Sequence, residues 1–471
     1  MIQIYNTFTK NKEEFRPINP PNVNMYVCGP TVYDFFHIGN SRTFIMTDII
    51  RRYLEFAGYK VKYVMNITDV DDKIIGKSIE EKKSFKDVGV KYANYFLEDI
   101  KKLKIKEADV YPRPTEHMDS IINLIKELES KGFAYNVKGN VFYNVLKFKG
   151  YGKLSGKIIE DLESGARIEI NEEKKNPLDF SLWKKAKDGE PYWESPWGKG
   201  RPGWHVECSA MSCLHLGNTF DIHAGGNDLI FPHHENEIAQ SEAANGQHFV
   251  NYWMHFGFLN INNEKMSKSL GNFFTARDIL KKYSAEAIRL FFSQAHYAGP
   301  LNFSEDLLFG AQKGLEKLNN LKRKIENELD SGTIDGVIPK LDFDKFKTAF
   351  SEAMDDNFNS PQAVAVIFDF IRDVNKLISE TTKINSSFYT SVKNFLEITA
   401  GNVLGIIDFT KNKENDMATK EKELIELLIK LRQEAKAKKN YTLSDKIRDE
   451  LKELGIVLED TKDKTVYNII N

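Results

Sequence analysis

A strand, a helix and a second strand follow one another closely near the start of the chain. Residues 25–28 form a short apolar run, and residues 41–56 then repeat apolar side chains at helical spacing. Residues 60–67 return to a run rich in β-branched and aromatic side chains, which is typical of a strand. This order predicts an α/β fold with a parallel sheet, in which ligands bind at the carboxyl ends of the strands. Cys28 lies at such an end.

The rest of the chain changes character several times. Residues 115–200 show short strands and turns, which we interpret as an insertion within the sheet domain. The α/β pattern then returns, with a strand predicted over residues 219–223 and a helix over residues 232–244. Amphipathic helices are expected over residues 305–330 and 343–407. A lysine-rich segment that ends in a hairpin is expected over residues 421–471.

Size and composition exclude several classes of protein. The chain of 471 residues has room for about three domains, and its 41% hydrophobic and 28% charged residues are ordinary for a globular protein. No apolar run approaches the roughly 18 residues of a transmembrane helix, so we expect no membrane association. The N-terminal residues lack the layout of a secretory signal, which predicts a cytoplasmic protein. Since the net charge is −2, nucleic acid would bind through a local basic face.

The sequence His37-Ile38-Gly39-Asn40 lies between the first strand and the first helix. A helix N-terminus presents unpaired N–H groups and a partial positive charge to a phosphate, and Gly39 allows close approach of the backbone. His37 can donate a hydrogen bond to a phosphate oxygen as negative charge develops there. The alternative is a strand-to-helix turn that binds nothing, in which His37 only caps the helix.

A second candidate phosphate site is the short basic segment Lys265-Met266-Ser267-Lys268-Ser269. Two lysines among small hydroxyl residues supply positive charge without a bulky wall, so such a loop can clamp a triphosphate. A solvated basic loop is the commoner outcome for an isolated lysine-rich pentamer. The occurrence of this segment in one chain with the first motif favours phosphate binding.

Cysteine and histidine usage excludes a disulfide framework and singles out one part of the chain. The three cysteines, Cys28, Cys208 and Cys213, are an odd and scattered set. Seven of the ten histidines fall between His205 and His255. That local enrichment is the first indication of chemistry in this part of the chain.

One candidate metal site combines side chains from four positions. His233 and Glu237 are four residues apart, so a helix places both on one face. With the thiols of Cys28 and Cys208 they make a set of two thiolates, an imidazole and a carboxylate, which suits zinc. The cysteines could instead be small buried hydrophobic residues. Sequence spacing also does not exclude two neighbouring residues as ligands, His234 and Cys213.

Taken together, these residues resemble the class I aminoacyl-tRNA synthetases. The first motif is similar to the HIGH motif of that class, with Asn40 in place of its second histidine, and the second is a complete KMSKS motif. Three further segments are similar to the cysteinyl-tRNA synthetase family, namely Cys28–Asp34, Gly203–Met211 and Phe231–Glu237. The resemblance covers almost the whole chain, and the order of the motifs makes it specific.

The resemblance implies an α/β fold in several parts. A Rossmann-like parallel-sheet catalytic domain with an insertion is followed by an α-helical bundle and a small C-terminal anticodon-binding domain. The expected boundaries are 1–114 for the first half of the catalytic domain, 115–200 for the insertion (connective) region, 201–304 for the second half with the zinc site and KMSKS loop, 305–410 for the helical bundle and 411–471 for the anticodon-binding region.

The resemblance also implies a reaction and its residues. L-cysteine would be activated by ATP and transferred to the 3′ end of tRNA(Cys), by a monomer with one zinc ion per chain and Mg²⁺ on the ATP. Zinc would be held by Cys28, Cys208, His233 and Glu237, which selects His233 over His234. The implied catalytic residues are His37, Lys265 and Lys268. The implied ATP contacts add Gly39, Asn40 and Ser267, and the amino acid would lie near Gly29, Trp204 and Asp228.

Two other functions share some of these features. A related enzyme could make cysteinyl-adenylate and pass cysteine to the amine of a sugar, but that small acceptor needs no helical and lysine-rich C-terminal region. A zinc-stabilised RNA-binding protein without catalysis would need neither phosphate motif. The basic residues of 421–471 offer a local face for tRNA, although acidic residues intervene and a solvated helix surface is the alternative.

Overall fold

The computed structural model describes residues 1–159, 173–261, 264–265, 274–409, 413–460 and 465–469. The chain divides into two units, Met1–Ile407 and Asp408–Asn471.

Within the described ranges the chain forms these strands and helices. The strands are β1 (Gln3–Asn6), β2 (Asn11–Glu14), β3 (Asn22–Val27), β4 (Lys60–Met65), β5 (Ala134–Val137), β6 (Asn140–Tyr143), β7 (Phe180–Lys185), β8 (Gly200–Pro202), β9 (Phe220–Gly226), β10 (Val250–Phe256), β11 (Leu259–Ile261), β12 (Glu264–Lys265), β13 (Leu301–Phe303), β14 (Ile456–Asp460) and β15 (Thr465–Ile469). The α-helices are α1 (Ile38–Phe56), α2 (Asp72–Glu81), α3 (Phe85–Lys102), α4 (Met118–Ser130), α5 (Trp204–Leu216), α6 (Glu235–Asn245), α7 (Ala276–Leu280), α8 (Ala285–Ser293), α9 (Glu305–Ser331), α10 (Phe343–Asp355), α11 (Ser360–Glu380), α12 (Ser386–Leu396), α13 (Lys413–Ala437) and α14 (Tyr441–Glu453).

A parallel sheet organises the first unit, as the strand–helix–strand pattern predicts. Its strands pair in the order β10–β9–β3–β4, and each neighbouring pair is parallel. Helix α1 joins β3 to β4 and packs against β4 and β9. The predicted strand over 60–67 ends early, at Met65, and beyond it Thr68 forms an isolated parallel bridge with Thr31.

The insertion contains a helix that the predicted pattern of strands and turns lacks. Helix α4 buries Ile121, Ile125 and Leu128, which recur at helical spacing. Strands β5 to β8 form an antiparallel sheet beside it. The buried side chains of the insertion share one core with Val206 in α5 and Ala239 in α6. The insertion therefore packs directly onto the two helices that carry candidate metal ligands.

The amphipathic segments predicted after residue 304 are helical, as expected. The pattern over 343–407 divides into α10, α11 and α12, followed by a π-helical turn at Glu397–Val403. The divisions follow capping residues, because Asp342, Asn359 and Asn385 each accept an amide hydrogen bond at the start of a helix.

The second unit has its own small core. Helices α13 and α14 and the antiparallel pair β14–β15 surround the buried side chains of Ile425, Ile429, Leu451 and Ile456. The final hairpin pairing predicted for the lysine-rich segment is confirmed, and it follows Gly455, whose φ is 78°.

Candidate metal centre and nucleotide site

The candidate metal ligands come from segments that meet at the carboxyl end of the central sheet. Cys28 directly follows β3, and its amide donates to the carbonyl of Ala224 in β9 at 3.1 Å. Cys208 lies in α5, while His233 and Glu237 lie just before and within α6. Parallel strands end at one edge of a sheet, and that edge is where ligands of such folds bind.

The four side chains form a tight buried cluster. Their candidate ligand atoms all lie within 4.8 Å of one another, and each side chain is buried. The Nε2 atom of His233 lies 3.0 Å from Oε1 of Glu237, and Sγ of Cys28 lies 3.7 Å from the same oxygen. The residues singled out from the sequence are thus close together in space.

A second group of candidate ligands overlaps the first. Ligand atoms of Cys28, His223, His234 and Glu237 also lie within 4.8 Å of one another. The Nε2 atom of His223 is 2.9 Å from Oε2 of Glu237, and Nε2 of His234 is 3.3 Å from Sγ of Cys28. Distances alone therefore keep His234 as an alternative ligand, whereas Cys213 belongs to neither group found among the described residues.

The pKa values show which charges this pocket stabilises. A hydrogen bond with Cys28 is the main reason why the pKa of Cys208 falls to about 6, and burial raises the pKa of Cys28. Burial opposes a charged His233, but Glu237 and Cys208 outweigh it and raise the pKa of His233 to about 10. Burial likewise opposes a charged Glu237, yet His223 and His233 lower its pKa to about 2. The pocket thus favours negative charge on Cys208 and Glu237 and positive charge beside them, which a bound metal cation would supply.

The first group suits zinc better than the second. It offers two sulfur ligands, and zinc prefers sulfur and nitrogen donors in a four-ligand site. The Nδ1 atom of His233 lies 2.8 Å from Nδ1 of His205, which leaves Nε2 facing Glu237. A partner on the other ring nitrogen is the usual way in which a metal-binding histidine is oriented. The residues present therefore fit a zinc ion.

Of the residues implied near the amino acid, Trp204 contacts this cluster and Gly29 directly follows Cys28. The ring of Trp204 lies 4.2 Å from that of His233, and Trp204 is 40% exposed, so it borders both the cluster and solvent. A Cβ on Gly29 would lie 1.7 Å from the carbonyl oxygen of Asn66, so only glycine fits there. Asp228 lies in the short turn between β9 and the segment that carries His233.

The insertion fixes the start of α6. The amides of Gly152 and Ser155 each donate to the buried carboxylate of Glu235 at 2.9 Å. The helix predicted over residues 232–244 is confirmed, since a π-helical turn at Ile230–His234, in which only Phe231 is non-helical (φ −138°, ψ 130°), continues directly into α6. This arrangement sets the helix that presents the Glu237 carboxylate.

His37 is the N-cap of α1. Its Nδ1 atom accepts a hydrogen bond from the amide of Asn40 at 3.3 Å. Gly39 and Asn40 lie in the first turn, and the amide of Asn40 also donates to the carbonyl of His37 at 3.0 Å. The capping role considered from the sequence is thus present at this helix start, while phosphate binding there stays a prediction.

The second phosphate motif lies largely outside the described residues. Ser267 and Lys268 fall outside them, and for Lys265 only the backbone is described, where it pairs with Asn260 of β11. The segment 274–276, which follows the motif, forms a bridge and hydrogen bonds with residues 36–38. The chain that leaves the second motif therefore contacts the start of α1, where the first motif lies.

Three further histidines, of which His223 and His255 are buried, lie beside the candidate metal ligands without having been singled out from the sequence. His205 and His223 contact His233 and Glu237, as described above, and His255 Nε2 lies 2.8 Å from Nδ1 of His234. The enrichment of histidine between residues 205 and 255 was the signal for them. Spacing did not show which rings would meet, because they lie on different elements.

Arg42 is a further buried group that the sequence reasoning missed. It is 1% exposed, and burial lowers its pKa to about 10. Its guanidinium donates to carbonyl oxygens on two loops beside α1, those of Gly257, Phe258, His296 and Gly299. An arginine among the apolar residues of α1 was the available signal.

Comparison with known proteins agrees with these motifs. The family model for the tRNA synthetases class I (C) catalytic domain matches residues 14–313, and the DALR domain model matches residues 349–408. The chain is 50% identical to the cysteine–tRNA ligase of Thermococcus onnurineus (strain NA1), over 100% of this chain and 99% of that protein. It is 51% identical to the cysteine–tRNA ligase of Clostridioides difficile (strain 630), over 98% of each.

Solved structures support the fold. Methionyl-tRNA synthetase of Mycobacterium tuberculosis in complex with methionyl-adenylate superposes with a TM-score of 0.61 at 15% identity, covering 81% of this chain and 89% of that chain. At this identity the likeness concerns the fold alone, and it confirms the expected Rossmann-like architecture. None of the described helices combines the length and apolar character that a bilayer span requires.

Proposed function

The chain belongs to the cysteine–tRNA ligase family, and from this membership we propose that it activates L-cysteine with ATP and transfers it to the 3′ end of tRNA(Cys). It is an aminoacyl-tRNA synthetase, a ligase that forms a carbon–oxygen bond. One observation supports the choice of amino acid. It is the buried cluster of two thiols, an imidazole and a carboxylate beside the half-exposed ring of Trp204.

The cluster would select the substrate by its sulfur. Cys28, Cys208, His233 and Glu237 would hold one zinc ion per chain. Bound there, zinc would stabilise the substrate sulfur as a thiolate through a metal–sulfur bond that a serine hydroxyl cannot equal. Without such a bond, an apolar pocket separates near-isosteric substrates by only about 1–3 kcal/mol.

In the activation step, the cysteine carboxylate attacks the α-phosphorus of ATP, pyrophosphate leaves and cysteinyl-adenylate forms. No side chain becomes covalently attached, so positioning and charge stabilisation supply the acceleration. His37 and the start of α1, including Gly39 and Asn40, would face the phosphates. The site would be completed by Mg²⁺ on the ATP and by three residues of the KMSKS motif, Lys265, Ser267 and Lys268.

In the transfer step, the terminal ribose hydroxyl of tRNA attacks the acyl carbon of cysteinyl-adenylate, and AMP leaves. Helix α14 and the residues before it carry a set of basic side chains, which includes Lys436, Lys438, Lys439, Lys446, Arg448 and Lys452. Ion pairs with Asp445, Asp449 and Glu450 offset part of this charge. Tyr441 is 62% exposed and so offers a ring on which a single-stranded base can stack.

The test is tRNA charging with cysteine by the purified chain, with zinc measured on the same sample. We expect about one zinc ion per chain, because structural zinc sites usually have four protein ligands. We also expect cysteine-dependent pyrophosphate exchange and charging of tRNA with cysteine. Serine should not be charged. If the chain catalyses pyrophosphate exchange and transfers cysteine to an amino sugar but does not charge tRNA, it is the sugar-modifying enzyme instead. Bound zinc without any exchange would identify a non-catalytic RNA-binding protein.

A further inference from the structure

The start of α1 is held in place by the segment that follows the KMSKS motif. The amide of Ile38 donates to the carbonyl of Phe274 at 3.0 Å, and the amide of Ala276 donates to the carbonyl of Phe36 at 3.0 Å. Between these two hydrogen bonds, residues 37 and 275 form an antiparallel bridge. The backbone of His37 is therefore set by a neighbouring segment that is distant in sequence.

Arg277 comes directly after this segment and anchors it to α3. Its guanidinium donates to Oδ2 of Asp99 at 2.9 Å and to Oε2 of Glu98 at 2.7 Å. The same guanidinium lies 4.3 Å from the ring centre of Tyr95 and 4.8 Å from that of Phe35. Arg277 thus joins α7 to α3. Through Phe35 it also contacts the segment that leads into the His37–Asn40 motif.

The strength of this anchor comes from its surroundings. Asp99 is 1% exposed, so its carboxylate depends on a cation for compensation. Arginine suits the position because its planar fork can bind two carboxylates while it stacks on aromatic rings, which lysine does less well. Thr275 and Asp278 form a capping box that fixes the backbone on both sides of Ala276.

We propose that Arg277 is a positioning residue for ATP activation, acting by holding residues 274–276 against residues 36–38. This inference rests on the function proposed above. The side chain itself contacts neither His37 nor the metal cluster in any described hydrogen bond or ion pair, so it acts through the backbone. A shift of about 1 Å in a positioned group can lower a rate on the order of 10²-fold.

Arg51 provides a matched control in the same unit. It pairs with Glu55 at 3.1 Å and with Asp109 at 3.3 Å, and it lies 5.2 Å from the ring centre of Tyr63. Arg51 therefore makes the same kinds of contact as Arg277, but away from the segment that braces His37. A purely structural role predicts similar effects of the two substitutions on activity.

The experiment compares Arg277→Met, Arg277→Lys and Arg51→Met in the full chain. We expect Arg277→Met to lower kcat for cysteine-dependent pyrophosphate exchange by roughly tenfold or more, with the KM for cysteine and the zinc content unchanged. Arg277→Lys should restore part of that loss, because it keeps the cation. Arg51→Met is expected to lower the melting temperature without lowering kcat.

Each outcome either supports or overturns the proposal. A wild-type kcat in Arg277→Met, or equal losses of kcat in Arg277→Met and Arg51→Met, overturns it. If Arg277→Met does not fold, Arg277→Lys decides, since a wild-type kcat in that variant also overturns the proposal. Absence of exchange in the wild-type chain would instead overturn the function proposed above, so the two failures are distinguishable.

Discussion

At the scale of single residues, the carboxylate of Glu237 joins the two candidate groups of metal ligands. Its Oε1 atom faces His233 and its Oε2 atom faces His223. Removing Glu237 or Cys28 would therefore disrupt both groups and could not tell them apart. Residues that belong to one group only are the informative ones.

The variants His233→Asn and His234→Asn separate the two groups. We expect His233→Asn to lose zinc and cysteine activation, because it removes a ligand of the group that includes both thiols. His234→Asn leaves that group complete and is expected to keep its zinc. Metal analysis after dialysis measures both, with thermal melting as a check on folding. Zinc loss in His234→Asn with retention in His233→Asn would assign the second group instead.

The role of the KMSKS lysines is tested by Lys268→Ala. Loss of a cation that stabilises transition-state charge is expected to lower pyrophosphate exchange by about 10²–10³-fold while zinc stays bound. Lys281→Ala is the matched control, since Lys281 is an exposed lysine paired with Asp278. An exchange rate for Lys268→Ala equal to that of the control would remove Lys268 from the mechanism.

Individual residues could be predicted to different extents. The spacing of His233 and Glu237 indicated one shared helical face, and the family motifs indicated which cysteines to add. The contacts of His205 and His255 could not be predicted, because each depends on how separate elements pack. Arg42 was missed for the same reason, since its partners are backbone carbonyls on distant loops.

At the scale of elements, a buried ion pair connects α1 to α8. The Asp48 carboxylate accepts hydrogen bonds from Arg289 at 2.6 Å and from Arg52 at 2.7 Å. Asp48 is 2% exposed and Arg289 is fully buried. The pair therefore links α1, which begins at the His37–Asn40 motif, to α8.

Asp48→Ala is expected to lower the free energy of unfolding by about 3–5 kcal/mol, because it leaves the Arg289 cation buried without its carboxylate. Asp369→Ala is the control, since Asp369 forms an exposed ion pair with Arg372, and its loss is expected to change stability by about 0–1 kcal/mol. Urea unfolding of both variants measures the difference. Equal destabilisation would contradict the argument from burial.

Helices and strands could be predicted where apolar residues recur at a single regular spacing. The β3–α1–β4 unit and the helices after residue 304 followed from their spacing of apolar residues. Helix α4 was missed because the surrounding short strands and turns dominated the interpretation of 115–200.

At the scale of the whole molecule, the division of the chain at residue 407 leads us to predict that its two units have separate tasks. The candidate metal ligands and the start of α1 both lie in the first unit, whereas α14 and the lysines that precede it lie in the second. Deleting residues 408–471 is therefore expected to weaken tRNA charging far more than cysteine-dependent pyrophosphate exchange. Parallel assays of exchange and charging on the truncated chain measure this, and equal losses in the two assays would refute the division.

The order of the central sheet has a consequence for synthesis on the ribosome. Strand β3 gains β4 soon after it is made, but its other neighbour, β9, begins only at Phe220. At typical translation rates that delay lasts on the order of 10 s. During it, one edge of β3 lacks its native partner, and such edges promote aggregation. Nascent chains of this protein are therefore expected to depend on chaperones until the whole sheet has emerged.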